Sequence, residues 1–129
     1  MSVVAEALEV RIDADPCALR RVRGSLRAWL TSVGAGQVDD VVLAVGEAVA
    51  NALEHGGAGA VPPGPPITVS ARVDHDAVHI EVHDPGRWRT PVPGGERGRG
   101  IGIMRSVMDH VDVRTGAHGT SVVMRRRLQ

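Results

Sequence analysis

The sequence contains no phenylalanine, tyrosine or lysine, and its two tryptophans are Trp29 and Trp88. A hydrophobic core must therefore be built from aliphatic side chains and methionine. Recognition of single-stranded nucleic acid by base stacking is disfavoured, because such recognition needs aromatic platforms. The absence of lysine excludes mechanisms that require one, such as a Walker-type phosphate loop or a Schiff base.

The sequence also has a single cysteine, no net charge and no long apolar run. Cys17 is the single cysteine, so the chain can form neither an internal disulfide nor a multi-cysteine zinc site. The formal net charge is zero, so no global field draws the chain to nucleic acid or to an anionic membrane. The longest apolar run, 41–45, is too short to span a bilayer, and residues 1–10 lack the basic residue of a signal peptide. We therefore expect a cytoplasmic protein with no nucleic-acid and no membrane partner.

The length of 129 residues fits one domain, 1–129, with room for a real core. Apolar and polar residues alternate, as in strands, at 7–12, 67–73, 77–84, 111–114 and 120–124. Helical spacing predicts helices at 17–32, 38–55 and 101–110, and Asp15 followed by Pro16 predicts the first helix start. We predict loops at 56–66 and 85–100. The order β-α-α-β-β-α-β-β predicts an α+β fold, a two-layer α/β sandwich with the helices against an antiparallel or mixed sheet.

The second predicted helix carries a polar stripe, because Glu47, Asn51 and His55 are spaced four residues apart. A carboxylate there can polarise a hydroxyl or a water, and an amide oxygen one turn on can ligate a hard cation such as magnesium. Gly56 supplies the stop that commonly follows a helix. The alternative interpretation is an ordinary solvated helix face.

Asp84 ends a predicted strand and is followed by Pro85 and Gly86. An aspartate there can accept a hydrogen bond from a ligand amine, and the glycine lets a ligand approach the backbone. Asp-Pro-Gly is also good turn chemistry, so a plain turn is the alternative.

Three alternate glycines, Gly98, Gly100 and Gly102, run directly into the third predicted helix. Backbone N–H groups and the positive end of a helix together form an anion-binding site, for which a glycine hinge is the alternative. The pair Gly119-Thr120 opens the last strand, where a hairpin turn is the alternative.

These four features, in this order, resemble the N, G1, G2 and terminal Gly-Thr boxes of the GHKL ATPases, which share the Bergerat (histidine-kinase-like ATPase) fold. Within that superfamily the chain is most similar to the anti-sigma-factor serine kinases. The features of that branch are the ending Asn-Ala-Leu-Glu-His-Gly at 51–56, a short lid, and the run 97–109. The resemblance covers essentially the whole chain.

The resemblance implies ATP and Mg²⁺ as cofactors and assigns roles to the motif residues. Glu47 would be the general base, and Asn51 would ligate the Mg²⁺ that bridges the phosphates. Asp84 would accept a hydrogen bond from the adenine amino group, with support from Thr120. Gly86 would let the base lie against the loop, and the phosphates would be wrapped by Gly98, Gly100 and Gly102.

The sequence departs from the family pattern at Trp88, which stands where the G1 box has its last glycine. The indole either alters the adenine pocket or lies in the short lid and covers the nucleotide. His55, in the His-Gly ending of the N box, is expected to be structural.

By resemblance the chain is an ATP-dependent protein serine/threonine kinase and transcription regulator. It would phosphorylate an anti-sigma-factor antagonist, sequester a sigma factor and form a homodimer. The alternative is a non-catalytic, nucleotide-sensitive partner-switching module: Glu47 and Asn51 favour the enzyme, whereas Trp88 and the short lid favour the module. A detached histidine-kinase catalytic domain ranks lower, because no phosphoacceptor-histidine hairpin precedes residue 7. A nucleic-acid binder that uses Arg125–Arg127 is disfavoured by the zero net charge and the missing aromatics.

Overall fold

A computed structural model describes residues 7–13, 15, 17–55, 66–85 and 96–128. Along the chain these residues form β1 (Ala7–Ile12), α1 (Ala18–Ser32), α2 (Val38–His55), β2 (Ile67–Asp74), β3 (Ala77–Asp84), α3 (Glu96–Val107), β4 (His110–Gly116) and β5 (Gly119–Arg127). The element order is the one expected from the sequence. Both predicted loops lie largely outside the described residues, as do Gly86, Trp88 and the side chain of His55.

The strands form one five-stranded sheet in the order β1-β2-β3-β5-β4, and every neighbouring pair is antiparallel. Alternate positions of the central strands are buried, and the helices pack on that face. The expected two-layer α+β sandwich is therefore confirmed, with an antiparallel rather than a mixed sheet. None of the described helices combines the length and the apolar composition needed to cross a membrane.

The core between the two layers is aliphatic, as the composition requires. Its most deeply buried large side chains include Leu26, Leu30, Val45, Val49, Val69, Ile80, Met104 and Met124. Burial of each such side chain contributes about 1.5–3 kcal/mol relative to leaving it exposed. Trp29 is the aromatic residue of this core cluster.

The buried face of α2 fixes the rotation of that helix. Val41, Val45 and Val49 are at most 1% exposed, and they follow the helical spacing seen in the sequence. Because these side chains must face the core, the stripe that starts at Glu47 faces the side of α2 where α3 packs.

The prediction that Asp15 is the N-cap of the first helix is wrong. The N-cap of α1 is Cys17, which makes no side-chain capping bond. Asp15 acts two residues earlier, where its carboxylate accepts a 2.8 Å hydrogen bond from the Cys17 N–H. This local Asx-turn satisfies a backbone donor just before the helix and competes with the capping geometry.

The predicted start of the third helix, residue 101, is also wrong, because α3 begins at Glu96 and ends at Val107. Gly98 and Gly100 therefore lie in the first turns of the helix and not in a loop. Glycine is a poor helix former, so the sequence pattern favours a loop. Packing of α3 on α2 overrides this local preference.

The far end of α3 is held by Arg126 of β5. Its Nη1 donates a 2.6 Å hydrogen bond to the carbonyl oxygen of Val107, one of the last acceptors of the helix. The same nitrogen lies 3.5 Å from Asp40 Oδ2 in the first turn of α2. One arginine therefore joins the end of α3, the start of α2 and the end of the last strand.

Gly119 begins β5 with φ +113°, a conformation that side chains rarely adopt. A Cβ on Gly119 would lie 2.0 Å from the backbone oxygen of Asp84 and 2.6 Å from Cα of Pro85. The start of β5 therefore approaches the end of β3 closely, and this approach requires glycine.

We predict that Gly119→Ala lowers the free energy of unfolding by about 2 kcal/mol or more, because the new methyl group must displace backbone. Gly116→Ala, in the same hairpin, is the matched control, since its Cβ would meet no atom within 4 Å. Urea denaturation of both variants measures the difference. Equal stability of the two variants would contradict the close approach.

His79 lies on the outer face of the sheet, directly across from Arg72 on β2 and Arg125 on β5. Partial burial, together with the charges of the two arginines, lowers the pKa of His79 below its usual value, although Asp74 opposes the shift. Its protonation is therefore less favourable in the folded state than in the unfolded state.

The unfolded state then binds more protons as the pH falls from about 7 to about 5, so the free energy of unfolding decreases over that range. His79→Gln should reduce this pH dependence, and the same substitution at the exposed His118 is the control. Thermal unfolding at several pH values measures both slopes, and identical slopes for the two variants would overturn the assignment.

Candidate functional site

The central strands carry a buried polar pair. Asp84, the last residue of β3, and Thr120, the second residue of β5, are direct cross-strand partners and are 5% and 2% exposed. Within the described part of the chain, no atom hydrogen bonds to the buried Thr120 Oγ1. A buried hydroxyl without a partner is costly, so this position is chemically suited to a polar group from a ligand.

The contact between α2 and α3 forms a second cluster. A Cβ on Gly100 would lie 3.1 Å from Asn51 Nδ2 and 3.5 Å from Glu47 Oε2. The missing side chain therefore lets the first turns of α3 approach the polar stripe of α2. Asn51 is 9% exposed and Glu47 is partly buried, so both groups are held by packing.

The structure thus brings Glu47, Asn51 and Gly100 together, and it brings Asp84 and Thr120 together. The two clusters lie on facing layers, because α2 packs against β3. Gly102 is exposed, and its Cβ would meet nothing within 4 Å, so it takes no part in the contact between α2 and α3. Gly98 lies in the first turn of α3.

The donor set of the second cluster is suited to a hard cation held jointly with a ligand. The described residues contain no group of three or more His, Cys, Asp or Glu side chains that could hold a metal ion alone. An amide oxygen from Asn51 and oxygens of a bound phosphate together match the preference of Mg²⁺, which usually keeps few protein ligands.

The sequence does not predict the backbone role of Gly119. In the pair Gly119-Thr120, only the threonine is expected to support ligand binding. The available signal is the glycine itself, placed where the chain leaves a two-residue turn and enters a strand. The sequence does not reveal that β5 pairs with β3, and this pairing makes the glycine necessary.

Comparisons with known proteins agree with this geometry. The family model described as the histidine kinase-like ATPase domain matches residues 12–126. The anti-sigma F factor of Clostridium acetobutylicum is 33% identical over 106 residues of alignment, and the match covers 70% of this chain and 71% of that protein.

A solved structure also matches, that of the RsbU and RsbW domains of a Mycobacterium tuberculosis protein. It superimposes with a TM-score of 0.75 at 29% identity over 94% of this chain. The match spans 31% of the mycobacterial chain. The expected Bergerat fold and the resemblance to anti-sigma-factor kinases are confirmed by these matches. The chain belongs to the histidine kinase-like ATPase domain family, as an ATP-binding regulatory protein similar to the anti-sigma-factor kinases.

Proposed function

We propose that this chain is an ATP-dependent protein serine kinase that phosphorylates an anti-sigma-factor antagonist and sequesters a sigma factor. We propose a cytoplasmic location and a homodimer as its working form. The observation that carries the proposal is that the fold holds two polar clusters on facing layers. Asp84 and Thr120 are suited to a nucleobase, and Glu47, Asn51 and Gly100 are suited to phosphates. The name of the clostridial relative, an anti-sigma F factor, supports the choice of partners.

Adenine is the base that the first cluster fits. The Asp84 carboxylate can accept a hydrogen bond from an exocyclic amino group, and the Thr120 hydroxyl can complete the recognition of the adjacent ring edge. The buried hydroxyl has no partner among the described residues, which is expected of a group whose partner is the ligand.

The second cluster fits the phosphates and Mg²⁺. Asn51 would hold the cation through its amide oxygen, and the N-terminal end of α3 presents backbone N–H groups and the positive end of a helix dipole. Mg²⁺, when bound, would neutralise part of the charge on the phosphate oxygens.

Glu47 is the proposed general base of the reaction, and it lies one turn before Asn51 on the same stripe. As a serine oxygen of the protein substrate bonds to the γ-phosphorus, the bond from that phosphorus to the bridging oxygen of ADP breaks. The serine proton passes to the Glu47 carboxylate, and ADP leaves with the electron pair. The enzyme contributes mainly by positioning these groups, as in other phosphoryl transfers.

Thr120→Val should have opposite effects on the free protein and on nucleotide binding. Replacing an unpartnered buried hydroxyl by a methyl group should raise the free energy of unfolding of the free protein, by about 1 kcal/mol. ATP with Mg²⁺ should stabilise wild type, by about 2.7 kcal/mol at a hundredfold excess over Kd, and should stabilise the variant less. Calorimetry with and without nucleotide measures both quantities.

The control is Thr115→Val, because Thr115 is exposed and lies directly opposite Thr120 on β4. It should change neither quantity by more than about 0.5 kcal/mol. A Thr120→Val variant that ATP stabilises as strongly as wild type would remove Thr120 from the pocket. Absence of any ATP effect on wild type would count against nucleotide binding itself.

Glu47→Gln should separate chemistry from binding, since glutamine keeps the shape beside Gly100 but cannot take up the proton. We expect the rate of phosphate transfer to a candidate antagonist to fall by about 10²–10⁴, with ATP affinity nearly unchanged. Transfer of labelled γ-phosphate and equilibrium titration measure the two properties.

Two results would require a different conclusion. Transfer by Glu47→Gln at the wild-type rate would show that another group is the base. If wild type binds ATP and a sigma factor or antagonist but transfers no phosphate, the chain is a nucleotide-sensitive binding module.

A further inference from the structure

Leu43 on α2 is the exposed large hydrophobic residue of the described chain, with 45% of its surface accessible. A single exposed leucine is ordinary on a protein surface and needs no explanation by itself. Leu43 is of interest because it lies close to Glu47, the proposed general base, on the same helix.

Leu43 extends the stripe formed by Glu47 and Asn51, because it lies four residues before Glu47 on the same helix. Exposure increases along this stripe: Asn51 is buried beside α3, Glu47 is partly buried, and Leu43 is exposed. The stripe therefore opens to solvent one helical turn, about 5.4 Å, beyond the base. This open side gives a protein substrate a route by which to bring a serine to Glu47.

Helix α1 borders the open side. A Cβ on Gly46 would lie 3.3 Å from Nε of Arg23, so that arginine of α1 lies against α2 three residues after Leu43. Arg27 forms an ion pair with Asp39, one turn before Leu43. Leu43 therefore lies one turn after Asp39 and one turn before Glu47 on α2, and an apolar contact surrounded by polar groups is common in protein interfaces.

We propose that Leu43 contacts an apolar side chain of the protein substrate beside its phosphoacceptor serine, and so determines which serine is used. The inference rests on the proposed kinase activity. An extended segment advances about 3.3 Å per residue, so two residues span roughly one helical turn. Side chains two residues apart also share a face of an extended segment. The apolar residue should therefore lie two positions from the serine.

The test uses synthetic serine-centred peptides that carry leucine or glutamate at each position from about two residues before to two residues after the serine. Wild type should prefer leucine at one of the positions two residues away. We expect a preference of about fivefold in kcat/KM, carried by the peptide KM, from burying the exposed part of Leu43. Leu43→Arg should reverse the preference in favour of glutamate, with ATP affinity and thermal stability unchanged.

The control is Thr115→Arg, which adds the same charge at an exposed position on β4. It should keep the wild-type preference, and Leu43→Met should keep it as well. A wild-type enzyme that phosphorylates the peptides without an apolar preference, or a Leu43→Arg variant with the wild-type preference, would overturn this inference alone. Absence of transfer to every peptide and to a candidate antagonist, despite ATP binding, would overturn the kinase proposal together with it.

Discussion

The burial of the valines of α2 is the constraint that both stabilises the core and positions the helical part of the site. These valines must face the sheet, because a core without phenylalanine or tyrosine relies on closely packed aliphatic side chains. Once Val45 and Val49 are buried, the direction of Glu47 and Asn51 is fixed by helical geometry. The same burial that stabilises the domain therefore orients the polar stripe.

The two clusters are supported in different ways. Asp84 and Thr120 lie on β3 and β5, each of which has strand neighbours on both sides, and a glycine at the start of β5 brings their backbones together. The cluster on α2 depends instead on the approach of α3, which Gly100 permits at one end and Arg126 supports at the other. Main-chain pairing defines the first cluster, and helix packing defines the second.

Much of the architecture could be predicted from the sequence, because the periodic pattern is strong where the core is. The bounds of α2 follow from its valines and from the glycine after it, and the strands follow from alternation. The first turn of α3 could not be predicted, since local propensity at Gly98 and Gly100 favours a loop, whereas the folded helix packs against α2 at Gly100. The predicted start of α1 is wrong because Asp15 lies two residues before the N-cap Cys17, where its carboxylate accepts a hydrogen bond from the Cys17 N–H in an Asx-turn.

Some site residues could likewise be predicted from local sequence, whereas others depend on contacts between distant elements. The stripe on α2 is visible in the spacing of Glu47 and Asn51, because both belong to one helix. The pairing of Asp84 with Thr120 joins strands that are not consecutive, so no local pattern predicts its register. The resemblance to the GHKL boxes placed both residues in one pocket, and the sheet topology gives the physical reason why they meet.

In the proposed site the adenine contacts and the phosphate contacts lie on different layers, which has a consequence for discrimination between nucleotides. ATP and ADP present the same adenine, so the cross-strand partners Asp84 and Thr120 would bind both alike. Any difference in affinity between the two must then arise where α2 meets α3, at a contact made close by the missing side chain of Gly100. In such an arrangement the sheet would set how tightly the domain holds any adenine nucleotide, and among the described residues the helix pair would distinguish its phosphorylation state.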